Sequence, residues 1–176
     1  MSTGASGHDH DARFMQLALR QAEIAVARGQ TPFGAVVVGA KGDIIGQGHN
    51  AVRANHDPTA HAEIVAIRDA WQHVGAWELL KSSTLYTSCE PCLLCSFVIT
   101  QIGVSRVVFA ARATDVPGYK PLLGADLAKA AAWVNAQPDW PRIEVVGDFM
   151  REQARDVIAA FPWGQAQNRD SLEPPG

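Results

Sequence analysis

Cysteine is scarce in this chain: three thiols among 176 residues, Cys89, Cys92 and Cys95, all within seven positions. Three cysteines cannot build a disulfide framework, and a cluster this tight reads as metal or redox chemistry. Long hydrophobic runs are missing too. The longest uncharged apolar stretch, Leu93 to Ser105, is too short to span a bilayer. Met1 to Arg13 is polar and carries no apolar segment of the kind a signal peptide needs. A cytoplasmic protein with no membrane attachment is therefore expected. Charge of one sign is also lacking, with 15 Lys+Arg against 18 Asp+Glu and a formal net charge of -3. Such a surface has no general electrostatic grip on nucleic acid, although a local basic groove stays compatible with it. With 47% hydrophobic residues and no internal repeat, 176 residues suit one globular domain.

What is present is an alternation of helical and strand patterns. Residues 1–10, a Gly/Ser/Asp-rich start holding His8 and His10, are expected to be a flexible, solvated tail. Asp11 to Arg28 has 3.6-residue spacing through Phe14, Leu17, Ala18, Gln21, Ala22, Ala25 and Val26, with Gly29 as the stop. Phe33–Val38 and Ile44–Asn50 read as strands joined by the turn Lys41-Gly42-Asp43. Asp57-Pro58 looks like the opening of a helix with Ile64, Ile67, Trp71 and Val74 facing inward. Thr84–Thr87 is a third strand, Glu90-Pro91 opens a helix running to about Gln101, and Arg106–Ala110 is a fourth strand. A helix over Leu122–Val134, a strand over Ile143–Val146 and a helix over Phe149–Phe161 complete a single domain spanning 11–161. Residues 162–176 form a tail or arm. The order predicts an α/β protein whose five-stranded central sheet is covered on both faces, and the opening hairpin makes that sheet mixed.

The chemistry concentrates in His61-Ala62-Glu63 and Pro91-Cys92-Leu93-Leu94-Cys95. Cys92 and Cys95, three apart, fall on one side of a helix and suit two corners of a zinc tetrahedron, with His61 as a third. Three protein ligands leave the fourth position to water, the arrangement of a catalytic site. Zinc lowers the pKa of that water, and an unligated carboxylate beside it can shuttle the proton. Glu63 suits that role, although two helical positions apart means side chains about 200° apart. They converge only if both reach from the first turn towards the open helix end. The unpaired N–H groups there favour the thiolates. A non-catalytic protein that keeps the zinc site only to bind or scaffold is a further reading, and Glu63 speaks against it, since a structural site has no use for an unligated carboxylate beside the metal.

The pattern H-x-E…P-C-x-x-C, at a separation of about thirty residues, marks zinc deaminases of cytosine and adenine. The stretch Asn50 to Ala111 resembles the cytidine deaminase superfamily. It is most similar to the branch holding bacterial guanine deaminases and tRNA adenosine deaminases, through His56-Asp57-Pro58-Thr59-Ala60-His61-Ala62-Glu63, Leu85-Tyr86-Thr87-Ser88-Cys89-Glu90-Pro91-Cys92, Cys95 and Thr31-Pro32-Phe33-Gly34-Ala35. The resemblance implies a three-layer α/β/α sandwich, one zinc ion, a homodimer or larger oligomer, and hydrolytic release of ammonia. It also implies that Asn50 hydrogen-bonds the substrate, that Phe33 packs near the base, and that the Ala62 and Cys92 amides and the Ser88 carbonyl line the reaction centre. Asp115 falls where guanine deaminases have an acid that reads the base. Ser96-Phe97 and Gln101 depart from the branch's usual residues, at places expected near the base pocket. Tyr119 either closes that pocket or anchors a loop.

On these residues a free nucleobase or nucleoside, guanine foremost, is the favoured substrate, with adenosine in tRNA as the alternative. The last helix balances Arg151 and Arg155 against Glu152 and Asp156. The Lys-Thr-Gly-type stretch that the tRNA enzymes usually carry after the fourth strand is absent. Trp163 either anchors the tail to its own core or reaches a partner subunit's pocket as a lid.

Overall fold

The computed structural model describes residues 4–76 and 80–164. Helix α1 (Gly4–Ala27) precedes a hairpin of β1 (Gly34–Val38) and β2 (Ile44–His49). A one-turn helix α2 (Val52–Asn55), then α3 (Ala62–Val74), β3 (Thr84–Cys89), α4 (Leu93–Ile102) and β4 (Arg106–Ala111) follow. A 3-10 turn (Ala113–Asp115), α5 (Asp126–Asn135), β5 (Glu144–Val146) and α6 (Arg151–Ala159) complete the order. The strands lie in the order β2-β1-β3-β4-β5. β1 runs antiparallel to β2 and to β3, and β3, β4 and β5 run parallel, so the sheet is mixed as the hairpin requires.

Period-two alternation in central strands that are buried on both faces divides the core into two halves. Val36, Val38, Tyr86 and Val108 point to one face and meet Phe14, Met15 and Ala18 of α1 and Ile158 of α6. Ala35, Val37, Leu85 and Val107 point to the other and meet Ile64 and Ile67 of α3, Ile99 of α4, and Leu127 and Val134 of α5. The result is the three-layer α/β/α sandwich. Asp11 fastens α1 to the sheet: its two oxygens take the Arg106 guanidinium at 2.7 and 2.8 Å, and it accepts the Tyr86 hydroxyl at 2.7 Å.

Several expected boundaries move. Helix α1 begins at Gly4, not Asp11, and takes in most of the stretch expected to be a flexible tail. The reason is aromatic contact: the His10 ring packs edge-on against Phe14 and the His8 ring lies 5.2 Å from Phe149. Asp57-Pro58 does not open α3. Asp57 instead closes a turn, its Oδ1 accepting the Thr59 amide at 2.8 Å and the Thr59 hydroxyl at 2.6 Å. Trp71, expected to face inward from α3, is 40% exposed.

Helix α3 rests directly on the backbone of β2. Ala62, Ala66 and Ala70, four apart, form a fully buried stripe on it. They lie over Gly46 and Gly48, two apart on one strand face. A Cβ on Gly46 would fall 2.3 Å from the Ala66 carbonyl oxygen and 2.5 Å from the Ala70 nitrogen. Nothing flexible can yield, so Gly46→Ala must lift the helix that carries Glu63. The expected cost is about 3 kcal/mol, or roughly 6–12 °C in Tm for a chain of this size. A thermal melt checks it, and a Tm within about 2 °C of the parent would contradict so close an approach.

Candidate active site

β1 enters the sheet at the end where β2, β3 and β4 leave it, so four connections gather at one rim. Each contributes a wall to a cavity of about 510 Å³. Thr31 and Phe33 come from the approach to β1, and Asn50, Val52 and Arg53 from the exit of β2. Cys89, Glu90 and Cys92 follow β3, and Val116 to Tyr119 follow β4. His61, Ala62 and Glu63 form its floor.

His61 and Cys92 occupy matching places. Each is the residue immediately before a helix, in extended conformation (φ -66°, ψ 155° and φ -67°, ψ 172°), and neither side chain caps its own helix. This resolves the geometric demand that the H-x-E spacing makes. His61 stands outside α3, so only Glu63 has to sit in the first turn. It also refines the reading of Cys92 and Cys95: the pair spans the helix start, where a residue just outside and one three further on converge as in a capping box. The turn at Asp57 sets the approach to His61, whose amide donates to the Thr59 carbonyl at 2.8 Å. The hydroxyl and amide of Thr59, with the Arg68 guanidinium, hold the Asp57 carboxyl down at about 2.

His61 Nδ1 lies 3.4 Å from Cys92 Sγ and 3.5 Å from Cys95 Sγ, and the two sulfurs are 3.7 Å apart. A tetrahedral zinc ion with Zn–S of about 2.3 Å and Zn–N of about 2.0–2.1 Å has edges of about 3.5 Å (N–S) and about 3.8 Å (S–S). The three donors therefore stand where three corners of one tetrahedron require, and zinc fits them. Among the described residues they are the one group of His, Cys, Asp and Glu side chains close enough to hold a metal. The Cys95 thiol, with help from His61, draws the Cys92 thiol down to about 4. Cys92 and burial in turn push Cys95 up. Cys89 also borders the cavity, but its sulfur turns to the Arg112 carbonyl and burial raises its pKa. Glu63 is buried among these groups. Burial, with the Cys92 sulfur adding to the rise, pushes its carboxyl up to about 7. A group poised there can both take and give a proton near neutral pH.

Asn50, Phe33 and Ala62 line the cavity. The Asn50 Oδ1 accepts the Val52 amide at 3.3 Å, which leaves its amide NH2 as the group to offer a ligand. Ser88 is not among the residues that line the cavity with their side chains. Its hydroxyl, buried in β3, accepts the Gly34 amide at 3.0 Å and ties β3 to β1. Asp115 is a correction: it is not among the cavity-lining residues. Its carboxylate is occupied by two hydrogen bonds from the Arg151 guanidinium, both at 2.8 Å, and by the Arg112 amide at 2.8 Å. Phe97 and Gln101 are corrections too. Both lie on the exposed side of α4, Phe97 at 61% exposure, and neither lines the cavity. Trp163 lines the cavity of its own chain, with its indole N–H donating to the Ile158 carbonyl at 2.9 Å and its ring beside Phe161 and Phe33. These contacts are those of the anchor to its own core, and residues 165–176 of the expected arm lie outside the described residues. Arg53 and Glu90 were missed by sequence reasoning, although Glu90 adjoins the Pro-Cys motif.

A sandwich with an imidazole and two thiols converging at two helix starts, and a buried free carboxyl beside them, defines a zinc-dependent hydrolase of the deaminase type. Residues 8–111 match the cytidine and deoxycytidylate deaminase zinc-binding region, and the chain belongs to that family. It is 34% identical over 154 residues to a tRNA-specific adenosine deaminase of Buchnera aphidicola, covering 88% of this chain and 89% of the relative. Its fold is similar to a structure from a study of A-to-I editing by tRNA:A34 deaminases at the wobble position of transfer RNA. That match has a TM-score of 0.68 and 29% identity, and covers 83% of this chain and 99% of the other. The fold is also similar to guanine deaminase from Nitrosomonas europaea, with a TM-score of 0.71, 26% identity, and coverage of 83% and 81%. Among the described residues no helix is long and apolar enough to cross a membrane.

Proposed function

We propose that this chain hydrolytically removes the exocyclic amine of a purine ring, with an unpaired adenosine of tRNA as its substrate. The observation that carries the reaction is the placement of Glu63, buried, unligated and in the first turn of α3, on the floor of a cavity that already holds a zinc donor set. Zinc held by His61, Cys92 and Cys95 supplies Lewis acidity and brings water to a nucleophilic state near neutral pH. Glu63 takes one proton from the attacking water at its carboxylate and passes it to the ring nitrogen, then takes the second from the hydroxyl so added to the ring carbon and passes it to the departing amine, which leaves as ammonia. The Ala62 amide, at the start of α3 where N–H groups have no partner within the helix, points its dipole into the reaction centre. The Asn50 NH2 orients the base, and Phe33 and Trp163 give its ring an apolar face.

The choice of tRNA departs from the preference for a free base drawn from composition and motif. Its support is the likeness, over nearly the whole chain, to a tRNA-specific adenosine deaminase. A cavity for an adenosine turned out of its stack is what such a reaction needs. A free purine such as guanine is a second reading, and the pairing of the arginines favours it. Arg68, Arg106, Arg112, Arg151 and Arg155 each meet a carboxylate within 4 Å, which reduces the positive charge left for phosphates. Zinc-loaded protein incubated with tRNA, adenosine, adenine, guanine, guanosine and cytosine, with ammonia measured and inosine located in the RNA, separates the two. Ammonia and inosine from tRNA are expected. Ammonia from guanine alone would replace the first reading by the second, and ammonia from none would remove both.

A further inference from the structure

The carboxylate expected to read the base is engaged elsewhere, and what it holds is a wall of the cavity. Asp115 ends the 3-10 turn after β4, its side chain 10% exposed. Its Oδ2 accepts the Arg112 amide and Arg151 Nε, and its Oδ1 accepts Arg151 Nη2, all at 2.8 Å. Arg112 and Arg151 also both reach Asp148. Immediately after Asp115 comes Val116-Pro117-Gly118-Tyr119. The Tyr119 amide donates to the Val116 carbonyl at 3.1 Å, and Gly118 has φ +75°. Proline second and a positive-φ glycine third make a type II turn, a rigid unit. All four of its residues line the cavity. A rigid turn moves as one piece about its attachment, and Asp115 is the charged part of that attachment, beside the buried Val116 and the Ala113 amide held by Glu90. The far side of the opening hangs from the same helix: Arg151 starts α6, and near its end the Ile158 carbonyl receives the Trp163 indole.

We infer that the Asp115–Arg151 ion pair is a positioning device that holds the Tyr119-bearing turn over the cavity, so that it governs substrate capture and leaves the hydrolytic step alone. The placement rests on the cavity being the substrate site, as in the proposed function, whereas the clamp itself does not.

Two measurements test it. Without substrate, hydrogen exchange of the Tyr119 amide is expected to be about tenfold faster in Arg151→Ala, with α3 and α4 unchanged. With substrate, Arg151→Ala and Asp115→Asn are each expected to raise KM about tenfold with kcat within about twofold. The double variant should be no worse than either single one, and Arg151→Lys should recover part of the loss. Arg151 is one-third exposed and does not line the cavity, so its replacement leaves the core intact. Unchanged exchange in Arg151→Ala overturns the inference, as does faster exchange with KM unmoved, or a fall in kcat with KM kept. So does an Asp115→Asn effect that persists in full without Arg151, the result expected if the acid touched the base directly. If the parent protein turns over no substrate, the functional reading fails while the exchange measurement still decides the clamp.

Discussion

Glu63→Gln is expected to bind zinc as the parent does, to melt at the same temperature or slightly higher, and to lose turnover by about 10³-fold or more. The three expectations have separate physical sources. The carboxyl is not one of the converging donors, so the metal should remain. It is buried, and its ionised form is disfavoured there strongly enough to push it up to about 7. A neutral amide of the same shape removes that penalty, so stability should not fall. The amide cannot accept a proton at the pH where the enzyme works, so both the activation of water and the departure of ammonia lose their carrier. Zinc content by elemental analysis, a melt and an ammonia assay on one preparation read all three. Turnover within tenfold of the parent would take Glu63 out of the mechanism, and lost zinc would make it a ligand.

The sandwich and the metal centre were legible because both are written in local spacing. Apolar residues on both faces of β1, β3 and β4 announce strands buried between two helical layers, and the H-x-E and C-x-x-C intervals hold whatever surrounds them. Helix starts were less legible. Asp57-Pro58 has the composition of a helix opening and of a tight turn alike, since aspartate accepts amides in both and proline suits the second place of each. Only the position of the His61–Ala62 backbone over β2 decides between them. Asp115 was misread for another reason. Its partner Arg151 is 36 positions away, and no local pattern shows that an acid near a cavity is already occupied. Phe97 and Trp71 belong to helices with apolar residues on more than one side, where the face that packs is chosen by neighbouring elements. Gly46 and Gly48 did carry a signal that went unused: two glycines on one face of a strand mark a close approach by another backbone.

The metal centre is the other place where one atom decides the outcome. Cys92→Ser and His61→Ala are each expected to drop zinc from about one per chain to near none and to abolish turnover, while Cys89→Ser keeps its zinc. All three cysteines lie within seven residues and two of them border the cavity, so proximity alone does not separate them. Geometry does. The Cys92 and Cys95 sulfurs stand one tetrahedral edge apart and each stands one edge from His61 Nδ1, whereas the Cys89 sulfur is turned to the Arg112 carbonyl. A hydroxyl in place of the Cys92 thiol loses the soft anionic donor that zinc prefers and leaves two ligands. Because ion binding is linked to folding, the same variants should melt several degrees lower, and a chelator should lower the parent's Tm towards theirs. Full zinc content in Cys92→Ser, or its loss in Cys89→Ser, would mean the ion sits elsewhere. Glu63 would then have no metal beside it, and the cavity would be a binding pocket with a buried acid.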